Sequence, residues 1–173
     1  MMSCRIRKIL SWLLLLGSLV LLLWLGIDRL NAQPASAAVS QIEEAAGHWL
    51  YRSQQAVLDP AGNSWQVVLF KRVNPGETAA LELRVVGFPG IADFAHPQPL
   101  AIAASTGEVW SLPDAFAEQS PAANVGQYLL GEDIASRLID QSLTLSLPLK
   151  NQPSLVLKIS PAMTQEWQQV LVS

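Results

Sequence analysis

The chain has 173 residues, half of them hydrophobic, with 11 basic and 14 acidic side chains and a formal net charge of −3. Four basic residues (Arg5, Arg7, Lys8, Arg29) but only one acid (Asp28) precede residue 38, so the remainder holds 7 basic against 13 acidic groups, a formal −6; this excludes a nucleic-acid partner, which needs clustered lysine and arginine to neutralise phosphates. The sole cysteine, Cys4, also belongs to the leading segment, which rules out disulfides and thiol chemistry downstream of it.

Residues 9–27 are a 19-residue run without a charge, dominated by leucine, behind the positive group Arg5, Arg7 and Lys8. As a helix this run reaches about 28 Å, close to the hydrocarbon thickness of a bilayer. The leading positive charges keep the N-terminus in the cytoplasm. Residues 1–37 are therefore predicted to be a Sec-type signal peptide or signal anchor, with no arginine pair to mark the twin-arginine route. Ala35-Ser36-Ala37 is a small-x-small cleavage signal. Against cleavage, the apolar run is longer than an ordinary signal core and ends several residues before that signal. Both outcomes place the following domain outside the cytoplasm, in the periplasm or thylakoid lumen, or anchored in the membrane through residues 9–27.

Residues 38–47 read as a linker with a short helical turn, Ser40 and Glu43 having capping-box spacing and Gly47 ending it. Residues 48–58 and 64–73 are the arms of a hairpin around Asp59-Pro60-Ala61-Gly62-Asn63. The second arm is apolar on both faces as far as Lys71 and Arg72, which predicts a central strand covered on both sides. In residues 78–86, Leu81, Leu83 and Val85 point one way and Glu82 and Arg84 the other, the pattern of a strand with one wet face. A small hairpin joins residues 100–104 and 108–112, residues 113–126 are a Pro/Ala-rich loop, and residues 128–130 a short edge strand. Residues 131–141 read as a helix with Ile134, Ala135 and Leu138 inward. Two strands follow, residues 142–149 with Leu143, Leu145, Leu147 and Leu149 inward, and residues 155–159. Residues 161–172 form an amphipathic helix with proline at its start and Met163, Trp167, Val170 and Leu171 on one face. The predicted fold is mainly β (α+β). It is a single antiparallel sheet domain over residues 48–173, a sandwich or half-open barrel with one or two short helices.

Little of this carries chemistry. His48 and His96 stand far apart with no metal-ligand spacing and read as strand-end and loop residues. No serine sits in a Gly-x-Ser-x-Gly elbow, and the pairs Glu43-Glu44 and Glu132-Asp133 read as helix starts favoured by the helix dipole. No catalytic residue, metal site or cofactor is expected. Two features suit a partner. Gly87-Phe88-Pro89-Gly90 puts an aromatic on a tight turn directly after a strand. Phe88 is then either presented on a rigid loop or folded back as a core plug, as large aromatics mostly are. Lys71, Arg72 and Arg84, with Arg52, fall on neighbouring strands as one patch for an anionic lipid head group or an acidic protein face. Cross-strand pairing with Glu82 is the plainer role. The candidate partner-binding residues are thus Phe88, Pro89, Arg84, Lys71 and Arg72.

The runs His48-Trp49-Leu50-Tyr51-Arg52-Ser53-Gln54, Gly62-Asn63-Ser64-Trp65-Gln66, Phe70-Lys71-Arg72, Leu83-Arg84-Val85-Val86-Gly87-Phe88-Pro89-Gly90 and Asn124-Val125-Gly126-Gln127-Tyr128, taken as a set, resemble the cyanobacterial exported proteins of the domain of unknown function 3122 family, over about residues 40–170. The resemblance implies a cyanobacterial source and export; it implies no activity and no site residue. The expected function is a non-enzymatic binding or accessory module for a membrane protein complex, with an extracytoplasmic protein partner. A carrier of a small apolar ligand or lipid is the alternative, and a hydrolase a third.

Overall fold

The computed structural model describes Trp12 and residues 14–18, 39–116 and 122–173. The chain divides into two compact units, Met1–Ser36 and Ala37–Ser173. In the first, Trp12 and residues 14–18 are helical, and Trp12, Leu14, Leu15 and Leu16 are exposed. The rest of the expected export segment, with its Ala35-Ser36-Ala37 signal, lies outside the described residues. Among the described residues no helix is long and apolar enough to cross a membrane.

The described part of the second unit contains strands β1 (Ser40–Ala45), β2 (His48–Leu58), β3 (Ser64–Val73), β4 (Ala80–Val86), β5 (Leu100–Ala104), β6 (Val109–Leu112), β7 (Val125–Leu129), β8 (Leu143–Leu147) and β9 (Leu155–Ile159), with helices α1 (Glu132–Arg137) and α2 (Pro161–Val172). A five-stranded sheet runs β1-β2-β3-β4-β7 and a four-stranded sheet β6-β5-β8-β9. Every pairing in both is antiparallel; tight turns impose this on the sequential hairpins, whereas β4–β7 and β5–β8 pair across long connections.

Period-two alternation decides which face of each strand is buried. Trp65, Val67 and Leu69 of β3, Leu81, Leu83 and Val85 of β4, Leu100 and Ile102 of β5, and Leu143, Leu145 and Leu147 of β8 all point into one contiguous core with Trp167 and Val170 of α2. The β2–β3 hairpin is organised by Asp59. Its carboxylate accepts from the backbone N–H of Ala61 (2.9 Å) and Asn63 (2.8 Å), from Asn63 Nδ2 (2.9 Å) and from Trp65 Nε1 (3.1 Å). Burial opposes ionisation of Asp59, and the hydrogen bonds from Asn63, Trp65 and Ala61 outweigh it, holding the carboxyl below its ordinary range.

The two sheets meet along a seam. After β6 the chain continues past Pro113 and pairs with β7: Asp114 bridges to Tyr128, Ala115 N donates to Gln127 O (2.8 Å) and Leu129 N to Pro113 O (2.9 Å). Helix α2 packs on β2 and β3. Its start is built from Ser160, whose side chain accepts from Met163 N, with Pro161 in the first turn. Of the two expected architectures, the structure takes a part of each: two separate sheets, as in a sandwich, joined at one corner, as in a half-open barrel.

Three local expectations change. Residues 40–45 are a strand, not a helical turn, because pairing with β2 satisfies their backbone and outweighs the capping-box spacing; Glu43 instead accepts from Gly47 N (3.1 Å) at the hairpin turn. Glu43 and Glu44 therefore start no helix. The helix at residues 131–141 stops at Arg137, and the chain leaves it through Asp140, whose φ is +62°. The loop of residues 113–126 gives up its ends to the seam and to β7.

Candidate functional site

The outer face of the five-stranded sheet carries the even-numbered residues of β2, β3 and β4. Register sets Arg52 opposite Phe70 and Phe70 opposite Glu82, with Val68 opposite Arg84, and Arg84 opposite Gln127 of β7. Phe70 is thus the centre of a field containing Arg52, Arg72 and Arg84. The Arg84 and Arg72 guanidinium carbons stand over its ring at 5.1 Å and 5.5 Å, cation–π distances. Phe70 keeps only 4% of its surface exposed on this face, with Arg72 and Arg84 over its ring. The expectation that β3 is covered on both sides holds on this side for Phe70, while Gln66 is exposed and Val68 and Arg72 are half-buried.

Each of the three guanidiniums is tethered by the same atom. Arg52 Nε donates to Ser40 Oγ (2.8 Å), Arg72 Nε to Glu44 Oε2 (3.4 Å) and Arg84 Nε to Gln127 Oε1 (2.7 Å). Gln127 is itself fixed, its Nε2 donating to Glu82 Oε2. Glu82 therefore orients Gln127 instead of forming the cross-strand ion pair expected of it. Among the described residues no hydrogen bond reaches the Nη groups of these arginines.

Lys71 is not part of the field. One residue along from Arg72, it points to the other face, where only 9% of it is exposed, and its Nζ donates to Leu171 O (2.8 Å) and Ser173 O (3.0 Å) at the end of α2. A cation at the carbonyl end of a helix answers both the unpaired carbonyls and the helix dipole. The patch expected from Lys71, Arg72 and Arg84 is thus corrected to Arg52, Arg72 and Arg84.

Phe88 does not plug the core. It is 57% exposed, and Ile91 49%. Ile91 N donates to Phe88 O (3.1 Å) with Pro89 and Gly90 between them and φ of +83° at Gly90, the signature of a type II turn. The base of the turn is clamped from both sides: Gly87 N donates to Asn124 O (3.0 Å) and Asn124 Nδ2 to Gly87 O (2.7 Å). Gly87 also lies flat on Trp65, where a Cβ would come within 2.7 Å of the indole. Pro89 is exposed beside Phe88.

A second cluster lies at the seam. His96 Nδ1 and Asp114 Oδ2 are 2.6 Å apart, and the Asp114 side chain is 3% exposed. Asp114 Oδ1 also accepts from Phe116 N (2.9 Å). The Phe94 and Phe116 rings flank the imidazole at 6.4 Å and 6.2 Å. Among the described residues, His96 Nε2 and the Tyr128 hydroxyl are buried without a hydrogen-bond partner. Burial, and then the charge on Asp114, push the Tyr128 phenol far above its ordinary range. Spacing alone gave no hint of this pair, since His96 and Asp114 are 18 positions apart in irregular sequence. His48, the other histidine, sets Nδ1 2.9 Å from Asn74 Oδ1. Among the described residues no three His, Cys, Asp or Glu side chains group to hold a metal ion.

The fold and this face define an antiparallel two-sheet β domain with a preset cationic field on one sheet and a rigid apolar turn beside it. The chain belongs to the family described as "Protein of unknown function (DUF3122)", whose model matches residues 37–170. No curated protein and no solved structure matches it.

Proposed function

We propose that the domain is a non-enzymatic binding or accessory module, held at or released from the outer side of a membrane by residues 1–37, that docks on an extracytoplasmic part of a membrane protein complex. The observation that carries this reading is the turn of residues 88–91: two large apolar side chains, Phe88 and Ile91, stand in solvent on a backbone clamped by Asn124. Pre-ordered apolar anchors lose little conformational freedom on association, which is why a few such residues dominate many interfaces. The leucine-rich run at residues 9–27 and the net acidity of residues 38–173 support a compartment outside the cytoplasm and a protein partner.

The test is affinity purification of the C-terminally tagged full chain from its native membranes, wild type against Phe88→Ala, with mass spectrometry of what accompanies it. A membrane complex recovered with the wild type and reduced at least fivefold with the variant supports docking through this turn. Recovery of the same complex by both, or of none by either, refutes it.

A further inference from the structure

The outer sheet face suggests what the partner presents. We infer that Arg52, Arg72 and Arg84 form a carboxylate-reading site for an acidic polypeptide segment of the docking partner, an inference that rests on the binding-module reading and names the chemistry of its contact. Three observations carry it.

The first is the uniform tether. All three arginines are held through Nε by Ser40, Glu44 and Gln127. This leaves the two Nη groups of each as the free end of the fork, the geometry that takes a carboxylate end-on through two parallel hydrogen bonds. The tethers and the Phe70 ring beneath Arg72 and Arg84 fix side chains that otherwise lose much rotamer entropy on binding. The second is concentration of charge. Three of the seven basic residues in residues 38–173 share this field while the region as a whole is acidic. The third is the company the arginines keep. Half-exposed Leu50, Val68 and Val86 and exposed Leu129 lie on the same face, and so do the acids Glu44 and Glu82.

That mixture selects among anions. A lipid surface or a polyphosphate presents a uniform field of negative charge, which Glu44, Glu82 and the net −6 of residues 38–173 repel. A polypeptide presents discrete carboxylates between apolar side chains and matches the face point by point. Arg52 on β2 and Arg84 on β4 stand two strand spacings apart across the sheet and two residues apart along it, about 12 Å between backbones, so the site spans a short segment and not a single side chain.

The experiment uses the full-length protein in detergent and a fluorescein-labelled peptide of alternating glutamate and leucine, whose acids fall on one face when extended. Binding is read by anisotropy. The wild type is expected to bind the peptide with an affinity that drops steeply between low and physiological salt. R72Q/R84Q is expected to lower it at least tenfold. R72K/R84K keeps the charge and the aliphatic stem over Phe70 but lacks the fork, so it is expected to fall between the two with thermal stability near wild type. Val109→Ser, exposed on the other sheet, should leave peptide binding unchanged; the peptide assay reads the arginine face directly, so its failure is distinguishable from a failure of membrane-complex capture. Equal binding by wild type and R72Q/R84Q overturns the inference. So does arginine-dependent capture of phosphatidylglycerol vesicles stronger than that of the peptide, which assigns the face to lipid.

Discussion

Single buried polar groups divide into those that hold the domain and those that burden it. Lys71 belongs to the first kind, since its ammonium answers two carbonyls at the end of α2. Lys71→Met keeps the stem and removes the donors, and should cost about 1–3 kcal/mol in urea unfolding. Tyr128 belongs to the second. Its hydroxyl is buried and unpaired, so Tyr128→Phe should be neutral or stabilising by up to about 1 kcal/mol, whereas Asp114→Ala, which strips the partner from His96, should cost about 3 kcal/mol. Asp59 links stability to pH. Its folded carboxyl titrates below the ordinary range, so its contribution is complete above about pH 4, the ordinary aspartate value, and is lost as pH falls through the folded value. Asp59→Asn should be less stable than wild type at pH 7 and show a flatter loss of stability below about pH 4.

Strands and turns show where sequence periodicity reads structure and where it does not. The alternation of β4 and β8 and the apolar stripe of α2 were plain in the sequence because one face of each meets the core. Adjacency and like charge suggest one patch for Lys71 and Arg72. The same period-two rule already separated them, Lys71 sharing parity with Trp65, Val67 and Leu69. The capping-box spacing of Ser40 and Glu43 points to a helical turn, but the partner strand of β1, not its own composition, decides its conformation. The burial habit of aromatics points Phe88 inward, and the clamp that holds it out comes from Asn124, 37 positions away from Gly87. The field around Phe70 was legible only as a set of basic residues; its tethers required the register. The turn itself yields a paired prediction. Gly87→Ala drives a methyl into Trp65 and Ala92 and should destabilise the domain by about 1–3 kcal/mol. Phe88→Ala, at an exposed tip, should change stability by less than about 0.5 kcal/mol, which makes it the clean probe of docking.

For the molecule as a whole, the two sides of the sheet pair differ in how far along the chain their partners lie. The seam joins residues 113–115 to residues 127–129, close neighbours in sequence. The packing of α2 is closed by contacts such as Lys71 to Ser173 and Ser53 to Glu166, 102 and 113 residues long. That difference was invisible in the sequence, because residues 113–115 show no strand pattern and the seam exists only once β7 is in place. A contact that closes a long loop forgoes more chain entropy than one that closes a short loop. The α2 side is therefore the last to form and the first to open. In native-state hydrogen exchange, the amides of α2 should exchange through an opening smaller than global unfolding, while those of β3 and β4 wait for the whole domain; equal protection of both would refute this order. The domain behaves as a book with a bound spine and a clasp. An opening at the clasp would bare Trp167 and the inner side of β3, so limited proteolysis of the native protein should cut first at α2, before the strands of the spine are reached.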